Sequence, residues 1–412
     1  MKKISLSTQI LIGLIAGIIA GILLQGAPAI ANNWIKPFGT LFLNLIKMII
    51  VPLVLASLVV GTCGLGDIKK LGRIGGKTLA YYLLTTAFAV TLGLILANIF
   101  KVGAGFTIPT DVKPAEASEV PKFVDTLLNI IPTNPIKAMA EGNMLQIIAF
   151  ALFLGGGIVA LGDKGKPLFN FFDSLAEATY KITGGIMNFA PYAVFALITP
   201  VVASNGPKVL LPLLSVILIV YAGCFLHAVL VYSSTLTIFG KFSPIKFFKG
   251  IFPAQAIAFT TCSSAAALPV NMKCTEENLG ASKSICSFVL PLGATINMDG
   301  TALYQGVCAL FIANVFGLDL TISQQVTIVL TATLASIGTA GVPGAGLIML
   351  TMVLQSVGLP LEGLALVAGI DRILDMARTT VNITGDSACA VIMAASENEL
   401  DRNCEIKHSY TA

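Results

Sequence analysis

The last apolar stretch of the chain carries ionisable and amide side chains at helical spacing. Asp371, Asp375, Arg378, Asn382 and Asp386 follow one another at intervals of four, three, four and four residues. Residues three and four apart share a helix face, so the spacing predicts one polar stripe. A charge at mid-membrane costs at least roughly 2.5–3.5 kcal/mol, so the stripe must face partners, ions or a ligand. Guanidinium binds carboxylates, and carboxylate oxygens suit hard cations.

Composition places the chain in a membrane. Its 412 residues are 56% hydrophobic and 11% charged, whereas soluble domains are about 25% charged. The net charge of +4 is spread over loops and does not indicate a nucleic-acid partner. The eight cysteines lie mostly in apolar runs without metal-ligand spacing, which predicts free buried thiols.

The apolar runs predict an all-α integral membrane protein. A spanning helix needs about 20 apolar residues. Eight candidate spans lie near residues 8–30, 37–66, 75–101, 125–161, 170–203, 208–239, 284–313 and 362–395. The fourth and fifth exceed one span, and Pro191 interrupts the fifth, which predicts a kink or tilt there.

Basic residues orient these spans. They precede the first span and follow the second, fourth and sixth, whereas the acidic segment 111–119 follows the third. Positive loops stay in the cytoplasm, so we expect a multi-pass protein with both termini inside. The short loops without glycosylated insertions predict a prokaryotic plasma or inner membrane. The basic residues are Lys2, Lys3, Lys69, Lys70, Arg73, Lys77, Lys164, Lys166, Lys241, Lys246 and Lys249.

Two further apolar stretches, near 250–272 and 324–358, are broken by small and polar residues. Freed backbone groups in a membrane must be satisfied inside protein, so each stretch predicts a re-entrant helical hairpin whose tip amides suit a carboxylate. Each is followed by a helix with polar residues, first at 293–301 and then at the stripe. By parity the hairpins enter from opposite sides, an inverted repeat typical of secondary transporters.

Several motifs in the same order resemble the glutamate transporter homologue family, the dicarboxylate/amino acid:cation symporters. They are Ser263-Ser264, Asn-Met-Asp-Gly-Thr at 297–301, Gly-Val-Pro-Gly-Ala-Gly at 341–346, Tyr-Tyr-Leu-Leu-Thr-Thr at 81–86 and the final stripe. The resemblance covers nearly the whole chain. It implies a homotrimer in which residues 1–73 and 104–207 form a scaffold. Residues 74–103 and 208–412 would form a transport domain that moves like an elevator.

The resemblance also implies a substrate site. Arg378 would bind the side-chain carboxylate of an acidic amino acid, Asp375 its amino group and Asn382 its α-carboxylate. The full implied set is Ser263, Ser264, Thr301, Val342, Gly346, Asp375, Arg378, Thr379 and Asn382. Three alternatives stay open: an internal Asp–Arg salt bridge without a ligand, a Ser264 hydroxyl bonded to its own helix, and a Thr301 that only packs.

Sodium sites follow from the same resemblance. The first would combine Asp386 with backbone oxygens of Gly293, Asn297 and Asn382. The second would use Thr295, Met298, Ser336, Ile337 and Thr339, and the third Tyr82, Thr85, Thr86, Asn297 and Asp299. A protonated, structural Asp299 or Asp386 is the alternative. No organic cofactor is expected.

Three residues stay open or are interpreted as structural. Archaeal members carry an arginine where this chain has Cys262, and Arg372 is the candidate substitute. Asp371 either orients its neighbours or pairs with Arg372. His227, alone within its span, is interpreted as a packed residue rather than a proton relay.

The resulting expectation is a sodium-coupled symporter of aspartate or glutamate in the lipid bilayer, not an enzyme. Within that class, proton coupling and C4-dicarboxylate transport are the alternatives. From other classes, an intramembrane hydrolase using Ser263 or Ser264 and an ion channel are disfavoured, because the serines lack a nearby base in the sequence and the stripe suits a closed site.

Overall fold

The architecture is helical throughout the described part of the chain. The structure is a computed structural model that describes residues 6–64, 68–104, 131–206, 210–337 and 344–406. Within these ranges all regular elements are helices, and one isolated β-bridge joins Ala281 to Leu400. The all-α prediction is confirmed there. The acidic segment 111–119 lies outside the described residues.

The first half of the chain forms seven principal helices in the described ranges. The predicted region 125–161 is not one helix in its described part, because left-handed Gly142 (φ 69°) ends a short helix and Asn143 caps the next. The predicted interruption at Pro191 is confirmed, since the helix breaks at Phe189. The helices are α1 (Leu6–Leu23), α2 (Lys36–Gly64), α3 (Ile68–Ile99), α4 (Pro135–Glu141), α5 (Met144–Ala160), α6 (Lys166–Asn188) and α7 (Ala190–Asn205).

The second half contains the broken elements. Both predicted hairpin stretches are pairs of helices, the first turning at Cys262 and Ser263, and the predicted polar interruption at 293–301 is a break at Asn297 and Met298. The last long helix begins at Asp371, later than predicted. The helices are α8 (Leu210–His227), α9 (Pro244–Thr261), α10 (Ser264–Glu277), α11 (Lys283–Ile296), α12 (Asp299–Val315), α13 (Ile322–Ala335), α14 (Ala345–Ser356) and α15 (Asp371–Ser396).

The distribution of polarity suits a lipid environment. Ile12, Ile15 and Ile19, three and four residues apart on α1, are about half exposed, whereas Arg378 is 1% exposed. Apolar side chains outside and charges inside are the arrangement that a bilayer requires. By length and composition, the described helical stretches Ile74–Ile99 and Leu211–Gly240 are long and apolar enough to cross a membrane.

Helix packing falls into two sets. Helix α1 packs on α7, and α2 on α5, α6 and α7. Gly13 allows α1 and α7 to approach closely, since a Cβ at this position would lie 2.3 Å from the Pro191 oxygen. Small residues pack membrane helices together in this way. In the other set, α3 packs on α12, and α15 contacts α8, α9, α11 and α12. Helices α12 and α15 therefore carry the candidate site among partners from both hairpin–helix units.

The segment after α15 is tied to the ends of several helices. The Glu399 carboxylate accepts hydrogen bonds from the Ser282 hydroxyl and, at 2.7 Å, from the Ser284 hydroxyl. Lys77, in the third turn of α3, lies 3.0 Å from Glu397. This segment closes the turn between α10 and α11.

Candidate functional site

The break between α11 and α12 meets the middle of α15. The first amides of a helix have no intrahelical partner. Here the Gly300 N–H donates to Asn382 Oδ1 at 2.8 Å, and Asn382 Nδ2 donates to Thr301 Oγ1 at 3.2 Å. Asn382 Nδ2 also lies 3.2 Å from the Met298 sulfur. Asn382 thus caps α12, and Thr301 is its partner as well as a packing residue.

Arg378 is enclosed by acceptors. Its Nη1 and Nη2 lie 2.7 and 3.2 Å from the two oxygens of Asp371, and its Nε lies 2.9 Å from Asp375 Oδ1. The Tyr304 ring centroid is 4.3 Å from the Arg378 Cζ, and the Tyr304 hydroxyl donates to Asp371. The internal salt bridge of the alternative interpretation is therefore present. It uses a bidentate guanidinium–carboxylate geometry.

Asp375 has one oxygen outside this pairing. Arg378 Nε and, at 3.0 Å, the Thr379 hydroxyl both donate to Oδ1 of Asp375. The cluster holds two carboxylates against one guanidinium, so it has a surplus negative charge. The remaining oxygen, Oδ2, is suited to an ammonium group.

The start of α14, in the second hairpin, lies directly against the guanidinium of Arg378. A Cβ on Gly346 would lie 2.5 Å from the Arg378 Cζ and 2.6 Å from its Nη2. Only glycine allows the start of α14 to come this close. Val342, also expected at this site, lies outside the described residues.

A side chain of α15 contacts the tip of the first hairpin. Ser263 caps α10 by accepting the Ala266 N–H at 3.2 Å, and Ser264 is buried. Arg372 Nη2 donates to the Thr261 carbonyl at 2.9 Å, next to left-handed Cys262. The alternative in which Asp371 pairs with Arg372 is wrong, because Asp371 binds Arg378, about two turns further along the same face of the helix. Arg372 instead reaches the position that the resemblance associated with an arginine.

The residues of the first expected cation site lie together. Asn297 Nδ2 donates at 2.9 Å both to Asp386 Oδ1 and to the Asn382 carbonyl. A Cβ on Gly293 would lie 2.4 Å from Asp386 Oδ1, so this glycine lets α11 touch the carboxylate. Asn297 Oδ1 is buried and has no hydrogen-bond partner among the described residues. An orphaned buried oxygen beside a carboxylate fits a hard cation.

The third expected cation site forms around Asp299. The hydroxyls of Thr85 and Thr86 donate to Oδ1 at 3.3 and 2.6 Å, and Thr85 also donates to the Tyr82 carbonyl. Oδ2 contacts His227 Nε2 at 3.0 Å and the Tyr232 hydroxyl at 2.8 Å. His227 is packed as the sequence predicted, with its side chain 0% exposed, and it also contacts the Asp299 carboxylate. Nothing local in the sequence linked His227 to Asp299, since they are 72 residues apart.

The second expected cation set remains a prediction. The Thr295 and Ser336 hydroxyls each donate to a carbonyl of their own helix, Leu292 at 2.9 Å and Thr333 at 2.7 Å. Met298 and Ile337 are buried. Thr339 lies outside the described residues.

Comparison with known proteins decides the family. The sequence model of the sodium:dicarboxylate symporter family matches residues 6–396. The chain belongs to the sodium:dicarboxylate symporter family. This is a family of membrane transporters and not of enzymes, and the membership confirms the resemblance seen in the motifs.

Relatives in this family are similar over almost their whole length. The chain is 43% identical to the proton/sodium-glutamate symport protein of Geobacillus stearothermophilus, covering 97% of this chain and 96% of the relative. It is 39% identical to the proton/glutamate-aspartate symporter of Escherichia coli strain K12, covering 97% and 94%. It is 36% identical to the C4-dicarboxylate transport protein of Bacillus subtilis strain 168, covering 96% and 94%.

Proposed function

We propose that the protein is a secondary active symporter that imports aspartate or glutamate together with sodium ions. The observation that carries the substrate class is the Arg378 cluster, in which the guanidinium and the Thr379 hydroxyl take Oδ1 of Asp375 and leave its Oδ2 outside these contacts. An acidic amino acid presents a carboxylate to the guanidinium and an ammonium to Oδ2. The relatives named for glutamate, at 39% to 43% identity, support the same class.

Binding exchanges partners within a buried, pre-formed cluster. The substrate's side-chain carboxylate replaces part of the aspartate contacts of Arg378, and its ammonium compensates the carboxylate that is released. Gly346 lies against the guanidinium, so a change in the contacts of Arg378 is coupled to movement of the second hairpin. Asn382, Thr379 and the serines of the first hairpin are the further polar groups for the α-carboxylate.

C4-dicarboxylate transport is the second candidate, since a relative at 36% identity has that name. A dicarboxylate such as succinate offers two carboxylates and no cation. It would leave Asp375 beside an added negative charge. The buried Asp375 therefore favours the amino acid.

Coupling to sodium follows from the carboxylates on the cation side. Asp299 and Asp386 are buried, and the partners described for both are neutral. Moving one charge against the membrane potential costs about 2.3 kcal/mol per 100 mV, so an anionic substrate needs more than one co-transported cation for inward-directed net charge. Proton coupling is the alternative, and the names of the relatives include both ions.

The larger organisation is part of the same proposal. Residues 1–73 and 104–207 form the scaffold of a homotrimer, and 74–103 with 208–412 form the moving transport domain. The two sets of packed helices support this division. Eight spans with two re-entrant hairpins, an elevator motion and both termini in the cytoplasm complete the arrangement, with the basic loops as support for the orientation.

Uptake into proteoliposomes tests the proposal. Labelled aspartate, glutamate, succinate and serine are compared under an imposed sodium gradient, an imposed proton gradient, or neither. We expect sodium-driven uptake of aspartate or glutamate above that of succinate and serine. Uptake that follows only the proton gradient would refute sodium coupling, and preference for succinate would refute the substrate class.

A further inference from the structure

The end of α8 and the π-helical turn after it bring two ring side chains to one oxygen of Asp299. His227 ends the α-helical part, and a π-helical turn at Ala228–Tyr232 follows at once. Residues five apart do not share a face of an α-helix, but an i→i+5 turn brings them together. The His227 and Tyr232 rings are edge-to-face at 4.9 Å, and both reach Asp299 Oδ2.

The protonation pattern of His227 follows from its partners. Its side chain is 0% exposed, and Nδ1 has no hydrogen-bond partner within the described part of the chain. A proton on Nδ1 would be a buried, unsatisfied donor. The arrangement therefore assigns a neutral ring that donates its Nε2 proton to Asp299.

The two oxygens of Asp299 have different kinds of donors. Oδ1 faces the Thr85 and Thr86 hydroxyls, whose oxygens keep lone pairs that can face an ion while the hydroxyl protons point to Oδ1. Oδ2 faces ring-borne donors whose positions are set by packing. Donors behind a ligating carboxylate orient it and raise the affinity of the site.

We propose that His227 and Tyr232 are positioning residues of a sodium site. They hold Oδ2 of Asp299 so that Oδ1 points toward the two threonine hydroxyls and the ion. The inference rests on the proposed sodium coupling, and it adds His227 at the end of α8 and Tyr232 in the following π-helical turn to a site otherwise built by α3 and α12. It requires an N–H donor at residue 227.

Substitutions at residue 227 test the inference in the purified full-length protein, reconstituted in liposomes. His227→Ala removes the donor, and His227→Gln restores an amide N–H at similar reach. Ser215→Ala is the control on the same helix, since that hydroxyl donates to Pro212 and lies outside the cluster. The sodium concentration for half-maximal aspartate uptake and the aspartate KM at saturating sodium are measured for each.

We expect His227→Ala to raise the half-saturating sodium concentration by about tenfold or more, with the aspartate KM at saturating sodium within about twofold of wild type. His227→Gln and Ser215→Ala should stay within about threefold of the wild-type sodium dependence. A purely structural role would lower the maximal rate and leave the half-saturating sodium concentration unchanged.

Tyr232→Phe provides a second route if His227→Ala does not fold, since it keeps the ring and removes only the hydroxyl. It should raise half-saturating sodium about threefold or more. Unchanged sodium dependence in the folded variants, or equal defects in His227→Ala and His227→Gln, would overturn the inference alone. Wild-type uptake that ignores sodium would overturn the coupling proposal together with it.

Discussion

The Arg378 cluster and the Asp299 cluster both surround a buried ionic side chain, but with opposite choices of partner. Arg378 is held by two carboxylates, Asp371 and Asp375. Asp299 is held by three hydroxyls and an imidazole, all neutral in our assignment. Both clusters therefore carry surplus negative charge.

The difference lies in what each cluster can accept. The Arg378 cluster contains a fixed cation, so it can bind an anion and an ammonium side by side. Among the residues that the structure describes, no fixed cation contacts Asp299, so a positive ion is its natural complement, because a buried carboxylate without a counter-charge is costly. In the two proposed sites, the kind of ligand thus follows from the charge of the partners and not from the buried residue alone.

The largest effect on uptake is expected from disrupting the Arg378 cluster. Arg378→Cys removes its guanidinium and leaves Asp371 and Asp375 without a shared partner. Because truncating one member of a buried ion pair costs roughly 3–5 kcal/mol, kcat/KM for aspartate uptake should fall by about a thousandfold. Serine uptake should appear or rise.

Arg378→Lys is the matched control, since it keeps the charge but not the planar guanidinium. Its kcat/KM for aspartate uptake should lie between those of wild type and the cysteine variant. Competition between labelled aspartate and unlabelled serine measures the change. Retained aspartate affinity in Arg378→Cys would refute the role of this residue.

Disrupting the Asp299 cluster should weaken sodium binding more than substrate binding. Asp299→Asn removes the negative charge and keeps the size of the side chain. The half-saturating sodium concentration should rise by at least about a hundredfold, beyond the loss expected for an outer-shell donor. Sodium titration of aspartate binding measures this.

Asp319→Asn makes the same chemical change at an exposed residue after α12 and should leave the sodium titration unchanged. If Asp299→Asn also bound sodium like wild type, the Asp299 cluster would not be a cation site.

A smaller effect is expected where the second hairpin touches the first cluster. Gly346→Ala places a methyl group 2.5 Å from the Arg378 Cζ, so the hairpin must retreat. Overpacking costs roughly 1–3 kcal/mol, so the aspartate KM should rise by about tenfold. Gly156→Ala on α5 is the control, because its added methyl meets nothing within 4 Å. Equal aspartate KM values for both variants would refute the contribution of the Gly346 contact with Arg378 to substrate binding.

The smallest effect concerns Glu399, an exposed counterpart of Asp299 that is also held by hydroxyls. The hydrogen bonds from Ser282 and Ser284 lower the pKa of Glu399 below its ordinary value. A lowered folded-state pKa stabilises the protein above the unfolded-state value, and this contribution is lost as pH falls through the folded-state pKa.

Glu399→Gln should therefore lower the melting temperature by about 1–2 °C near pH 7 and by nothing measurable near pH 3. Melting curves of both proteins across this range provide the measurement. A difference that grew toward low pH would contradict the assignment.

Much of the fold was accessible from local patterns, because helix faces and breaks depend on residues close in sequence. The spacing from Asp371 to Asp386 predicted a polar face on what is α15, and Pro191 and the Ser263-Ser264 pair indicated real breaks. The π-helical turn after His227 had no such signal. Its i→i+5 hydrogen bonds serve a contact with Asp299 that lies far away in the chain.

By itself the sequence determined that the protein is a helical membrane transporter and which side chains carry its charges, since apolar length, spacing and motifs are local properties. Only the tertiary structure decided how the charges pair: Asp371 with Arg378, Arg372 with the Thr261 carbonyl, and His227 with Asp299. A buried charge takes whichever partners the packed helices bring within hydrogen-bond distance, and α8, α12 and α15 meet only in the folded protein.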